Sequence, residues 1–262
     1  MKRTSTVVSA LVIALSATAL GCSKEDEKNP PTREEADEVS TTTASLVSAN
    51  DGQTGEVRAM ADAVALVKGE TPSGMSLSAE GSFEFNRGGL RYSYNVSCFD
   101  AANAPIACGP DADGGTLTVA WDGSYDGIWI DGSAQRSGEW TLRGVQGNNP
   151  VLSGQGSFDL AIDYSSLDGR RQSSYDLAFD ATYSDVRFDR ALGRPVGGSI
   201  RYEVEATRTA SGPNRDANAQ FDATAVVTFT PDGASLSIDK DYTYDLDLKT
   251  GQATPRAASP AP

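Results

Sequence analysis

Between Ser157 and Asp189 the chain alternates with a period of two. Phe158, Leu160, Ile162 and Tyr164 are followed by Tyr175, Leu177, Phe179, Ala181 and Tyr183. Between them stand Asp159, Ala161 and Asp163, then Asp176, Ala178, Asp180 and Thr182. Neighbouring side chains of a strand point to opposite faces, so each run predicts a strand with one apolar face and one acidic or small face. Asp168-Gly169 between the runs supplies tight-turn chemistry, which predicts a long antiparallel hairpin. A slip of one residue would bury four carboxylates, so the register is strongly constrained.

From Ser76 onward almost nothing reads as helix. Strands are expected over 77–86, 90–98, 116–122, 138–144, 152–164, 173–184, 198–208, 219–230, 234–239 and 242–248. Their connections carry Gly88-Gly89, Gly114-Gly115, Asp122-Gly123, Asp126-Gly127 and Asp232-Gly233, the residues that tight turns favour. The alternation slips at Val186 and Phe188, which predicts a bulge or a strand end there. Consecutive strands with short turns predict an up-and-down antiparallel meander. The expected fold is mainly β: a barrel or strongly curled sheet with an N-terminal helical hairpin. The apolar face of such a sheet must be buried by closure, by folding over, or by curling around helices.

Thr32-Arg33-Glu34-Glu35 fits a capping box and opens a helix over about 33–48, with Val39, Leu46 and Val47 on its apolar side. Glu34, Glu35, Asp37 and Glu38 suit a helix start. A second helix is expected over about 55–68, carrying Val57, Met60, Ala61, Val64 and Val67. The pair reads as a packing hairpin that covers one end or edge of the sheet.

Ahead of it, Lys2 and Arg3 precede an apolar run from Val7 to Leu20 that ends in Ala19-Leu20-Gly21-Cys22. The run is short for a membrane span and has the layout of a signal segment. It resembles the lipobox of bacterial lipoproteins, with Ala19 where that family usually has leucine. The resemblance covers residues 1–22 only. It implies lipidation of Cys22, a membrane anchor and a place in the cell envelope. Ser23 rather than aspartate after the cysteine implies the outer membrane. Ser23 to Pro31 is charged and proline-ended, a solvated tether. The expected organisation is signal peptide 1–21, tether 22–31, helical hairpin 32–69, β domain 76–249 and a disordered tail 250–262.

The formal charge of −14 repels nucleic acid and anionic lipid. Histidine is absent, which removes Ser-His and Cys-His catalysis and histidine metal sites. The three cysteines cannot build a four-cysteine centre. No cofactor is expected.

Cys98 and Cys108 flank a short loop, and in an oxidising compartment they are expected to form a disulfide. Asp111-Ala112-Asp113-Gly114-Gly115, with Asp122 beyond, begins like a calcium loop. Gly115 and Thr116 stand where that loop needs a ligand and a glycine, so an ordinary hairpin is the competing reading. Asp159, Asp163, Asp176 and Asp180 form an acidic stripe on the outer face, with Arg201 a candidate counter-charge. Trp121 and Trp140 share parity with core positions. Trp129 does not, and reads either as a cover over the end of the core or as a sugar platform.

No catalytic residue stands out. The functional expectation is a structural or apolar-ligand-binding module of the envelope. By architecture alone it looks broadly like lipid-carrying half-barrels and lipocalin-like folds. A carboxylate-dependent enzyme on envelope glycans and a transmembrane β-barrel are the alternatives.

Overall fold

A computed structural model of the chain describes residues 31–48, 56–72, 74–77, 82–87, 90–126, 130–166, 172–212 and 217–256. The signal segment, Cys22, the tether up to Pro30, Trp129, the Asp168-Gly169 turn and the tail from residue 257 lie outside the described residues. Helices α1 (Arg33–Val47) and α2 (Glu56–Val67) precede one antiparallel sheet of thirteen strands. These are β1 (Ser76–Leu77), β2 (Phe83–Arg87), β3 (Leu90–Phe99), β4 (Pro105–Ile106), β5 (Gly114–Asp126), β6 (Ile130–Arg143) and β7 (Val151–Ser165). They continue as β8 (Gln172–Asp189), β9 (Arg194–Ser211), β10 (Ala217–Thr230), β11 (Gly233–Ile238), β12 (Tyr242–Asp247) and β13 (Gln252–Pro255). Spatial order follows chain order, except that β4 pairs only with β3. Among the described residues β1 and β13 do not pair, so the meander is an open sheet and not a closed barrel.

Several expectations are corrected. The single strand 77–86 is two, because β1 pairs with β2 antiparallel. Residues 78–81, between the two, lie outside the described residues. The expected tail 250–262 contributes β13, which pairs with β12 through Tyr244↔Pro255 to Asp247↔Gln252. Arg256 bonds Asp245 there, with Nε at 2.8 Å. Strand β6 begins at Ile130, well before 138, because β5 and β7 pair with it along its length.

The slip at Val186 is a bulge, with register shifts between Ser184 and Phe188. Asp185 turns to φ 50° and Gly198 to φ 83° at this point. A Cβ on Gly198 would lie 2.2 Å from the Asp185 carbonyl oxygen, so only glycine fits.

The capping box forms as the sequence predicts. Thr32 Oγ1 accepts from the Glu35 amide and the Glu35 carboxylate accepts from the Thr32 amide at 2.7 Å. Ala36, Val39, Ser40, Thr43, Ala44, Leu46 and Val47 of α1 are buried, as are Met60, Ala63, Val64, Leu66 and Val67 of α2. Helix α1 packs on β10 to β13, whereas α2 packs on β3 and β5. These strands lie near opposite ends of the strand order, and the two helices also touch each other. The sheet therefore curls around the helices, which substitute for closure by burying its inner face.

The two ends of the curl are built differently. At one end Cys98 and Cys108 stand at disulfide distance, with sulfurs 1.97 Å apart. Their loop is tied to the end of α2, where the Gly109 amide donates to the Val67 carbonyl at 3.0 Å. Gln146 Nε2 donates to the Pro110 and Ala112 carbonyls, and Val145 is fully buried. This end is closed by backbone. At the other end the long strands β5 to β10 run past β11, β12 and β13, which pair only beside the lower half of β10.

Candidate apolar binding face

The inner face is laid out in cross-strand rows. One runs Tyr92↔Trp121↔Arg136↔Phe158↔Phe179↔Val204↔Ala223. Its rings touch in sequence, Tyr92–Trp121 at 6.0 Å, Trp121–Phe158 at 5.6 Å and Phe158–Phe179 at 6.0 Å between centroids, and Phe179 also meets Tyr202 of the neighbouring Ala181↔Tyr202 row at 5.7 Å. Tilted and edge contacts of this kind suit the ring quadrupoles and fill volume at the same time.

Arg136 is 5% exposed in the middle of this row. Its Nη2 donates to Tyr183 Oη at 2.9 Å, and its guanidinium lies 5.3 Å from the Trp140 ring. It points away from the open end, toward the closed one. Gly138 makes room there, since a Cβ on it would lie 3.0 Å from Trp140 Nε1. The strand expectation that began at 138 missed Arg136. Its even-numbered parity with Trp140 and Leu142 was the available signal.

Toward the open end the packing changes. On β7, Phe158, Leu160 and Ile162 are only half-buried, and Tyr164 is 39% exposed. Their partners on β6 are small: Leu160 pairs with Ala134 and Ile162 with Gly132. Large residues therefore stand beside small ones along the inner side of β7. One strand further on, Leu177 and Tyr175 are buried. The cover ends between β7 and β8.

Helix α1 makes that boundary. Glu38 forms an ion pair with Arg208, and the Arg208 guanidinium lies 5.7 Å from the Tyr175 ring. Burial, reinforced by the Glu38 carboxylate beside it, pushes the Tyr175 phenol far above its ordinary pKa. Asp37 accepts from Tyr244 Oη at 2.7 Å and pairs with Arg33 at 3.2 Å. Burial and then Asp37 likewise push Tyr244 up. Of the acids expected to start the helix, Glu35 caps it, whereas Asp37 and Glu38 dock it on β8, β9 and β12.

The other candidates separate. Asp111 and Asp113 lie before or at the foot of β5, while Asp122 stands nine positions up the strand, roughly 30 Å away. Asp122 is engaged by Arg91 at 3.1 Å. The structure does not bring these three together, and the described residues hold no cluster of three metal-ligating side chains. Arg91 and Asp122 instead line a shallow outer depression of about 460 Å³ with Gly123, Ser124, Ser133 and Gln135. Asp159, Asp163, Asp176 and Asp180 are exposed on the outer face, as the alternation requires. Asp163 lies opposite Asp131 and Asp180 opposite Glu203. Arg201 bonds Glu203 on its own strand at 2.7 Å, which relieves one of these like-charge pairs. Trp121 and Trp140 are core residues, as their parity predicts.

Compared with known proteins, the chain matches no family model, no curated protein and no solved structure.

Proposed function

We propose that this chain is a lipid-anchored module of the bacterial cell envelope, held by Cys22 in the outer membrane, that binds an apolar ligand on the open half of its inner face. The observation that carries the binding role is the run Phe158, Leu160 and Ile162, on the core side of the sheet yet only half-buried. A face that continues the core without being covered is the kind of surface that apolar ligands occupy. The lipobox-like Leu20-Gly21-Cys22 supports the anchor. An open sheet leaves unpaired backbone at its edges, which weighs against a membrane-spanning barrel.

Titration of the mature protein with a fluorescent fatty acid tests the binding role, and native mass spectrometry of protein from its own envelope identifies what travels with it. Saturable binding that Leu160→Lys weakens at least tenfold is expected. Absence of any saturable binding overturns the reading. For the anchor, Cys22→Ala is expected to leave the membrane fraction.

A further inference from the structure

We propose that the outer depression across β3, β5 and β6 is a second binding site, which takes a neutral saccharide through its adjacent hydroxyl groups. It lies on the opposite face of the sheet from the half-buried run on β7 and is independent of the binding role proposed above.

The pleat makes the depression. Arg91, Asp122 and Gln135 form one outer cross-strand row, and Ser124 and Ser133 stand opposite each other in the next. Short serines beside a row of longer side chains let the surface step down, and Gly123 adds backbone only. The resulting hollow is about 460 Å³, and no apolar side chain lines it. Each residue stands on a strand paired on both sides, so the ladder fixes the spacing of their backbones.

The chemistry of the lining names the ligand. Arg91 Nε and Nη2 both donate to Asp122 Oδ1, at 3.3 and 3.1 Å. The pair cancels its own charge and leaves Asp122 Oδ2 and the other guanidinium N–H groups for a ligand. Among the described residues the side chains of Ser124, Ser133 and Gln135 have no hydrogen-bond partner. Elsewhere on the outer face, facing hydroxyls bond each other: Ser137 with Ser157 at 2.8 Å, and Ser174 with Thr209 at 2.5 Å. Ser124 and Ser133 face each other in register without such a bond. The hollow thus gathers donors and acceptors that the fold does not use. A ligand that meets both kinds at close spacing carries adjacent hydroxyls, each able to donate and to accept. The neutral lining gives an ion no advantage, and the formal charge of −14 repels anions. A cation would meet a single carboxylate that arginine already holds. The neutral saccharide is the class that fits.

The test is isothermal titration of the full mature chain with maltotriose and with chitotriose, beside trigalacturonate as an anionic counterpart. Saturable binding of at least one neutral trisaccharide is expected, in the millimolar range, because a shallow hollow covers only one side of a sugar. Asp122→Ala and Gln135→Ala each remove a direct partner and are expected to weaken it about tenfold. Ser133→Leu fills the hollow and is expected to abolish binding. These residues are exposed, so the melting temperature should hold. Should Asp122→Ala melt lower through the loss of its bond to Arg91, Gln135→Ala carries the comparison. Asp180→Ala, an exposed acid outside the hollow, is expected to leave binding unchanged. Absence of saturable binding of either neutral trisaccharide up to about 50 mM, well above a millimolar Kd, overturns the proposal. Binding that survives Ser133→Leu and Gln135→Ala, or that Asp180→Ala weakens as much as they do, overturns its assignment to this hollow. Trigalacturonate bound as tightly as the neutral sugars overturns the ligand class.

Discussion

The closed and open ends of this sheet use the same strands and the same alternation, yet one is sealed and the other is not. At the closed end Leu142, Leu152, Val145 and Val186 are almost wholly buried. At that end the loop between Cys98 and Cys108 is hydrogen-bonded to the end of α2, and the turn after β6 is hydrogen-bonded to the segment from Pro110 to Asp113. At the open end Leu160 and Ile162 keep the same inward direction but are only partly buried. Facing inward and being buried are therefore separate properties. The first is local and comes from the pleat. The second depends on what is laid across the sheet.

The largest test of this difference compares Phe179 with Ile162. Phe179 is 1% exposed and touches the rings of Phe158 and Tyr202. Phe179→Ala is expected to lower stability by about 3–5 kcal/mol in urea melts. Ile162→Ala, on the same inner face, is expected to cost less than about 2 kcal/mol, because Ile162 is only partly buried. Equal losses would mean that the open end is packed after all.

Next in size is the disulfide pair. Opening a loop of about 11 residues is expected to cost roughly 2.8 kcal/mol in the chain-entropy model. The Cys98→Ser/Cys108→Ser variant should melt lower while fatty-acid binding at the other end persists. Binding lost in parallel with stability would show that the ends are not independent.

Glu38→Gln sharpens the boundary between β7 and β8. It leaves Arg208 half-buried without its ion-pair partner, for an expected loss of about 1–3 kcal/mol. It should also loosen α1 over Tyr175, seen as faster amide exchange in the first turns of the helix than in the last. Uniform exchange along α1 would assign Glu38 no role in holding the cover.

Asp245 gives a smaller effect. The Arg256 hydrogen bond holds its carboxyl below the usual range. A lowered folded pKa contributes stability above the unfolded value near ~3.9 that is lost as pH falls through the folded value. The pair is exposed, so Asp245→Asn is expected to cost under about 1 kcal/mol and to fray β13 alone. Least of all, Asp180→Ala on the outer face should stay within about 0.5 kcal/mol, since it removes a carboxylate opposite Glu203. A loss as large as that of Phe179→Ala would mean that the faces are reversed.

Much of the fold was legible where residues repeat. The alternation from Phe158 to Tyr183 named the inner and outer faces, and the break at Val186 marked the bulge. The capping box at Thr32 and Glu35 placed the start of α1. Less legible were segments whose structure is imposed by neighbours. Ile130 to Ser137 has no apolar rhythm, yet pairing with β5 and β7 makes it strand and carries Arg136 into the core. Gln252 to Pro255 reads as tail, yet it adds to β12 because that edge is available.

The chain's local pattern determined the antiparallel meander, the two helices and the side of the sheet on which each residue lies. These follow from the pleat, from turn chemistry and from caps, which act over a few residues. Tertiary structure decided that the sheet stays open, that α1 and α2 bury its inner face in place of closure, and that their cover stops at β7. Those outcomes depend on contacts between residues far apart in the chain, such as Glu38 with Arg208 and Val67 with Gly109. No periodicity encodes such pairs, because each is set by the shape the whole sheet adopts around the helices.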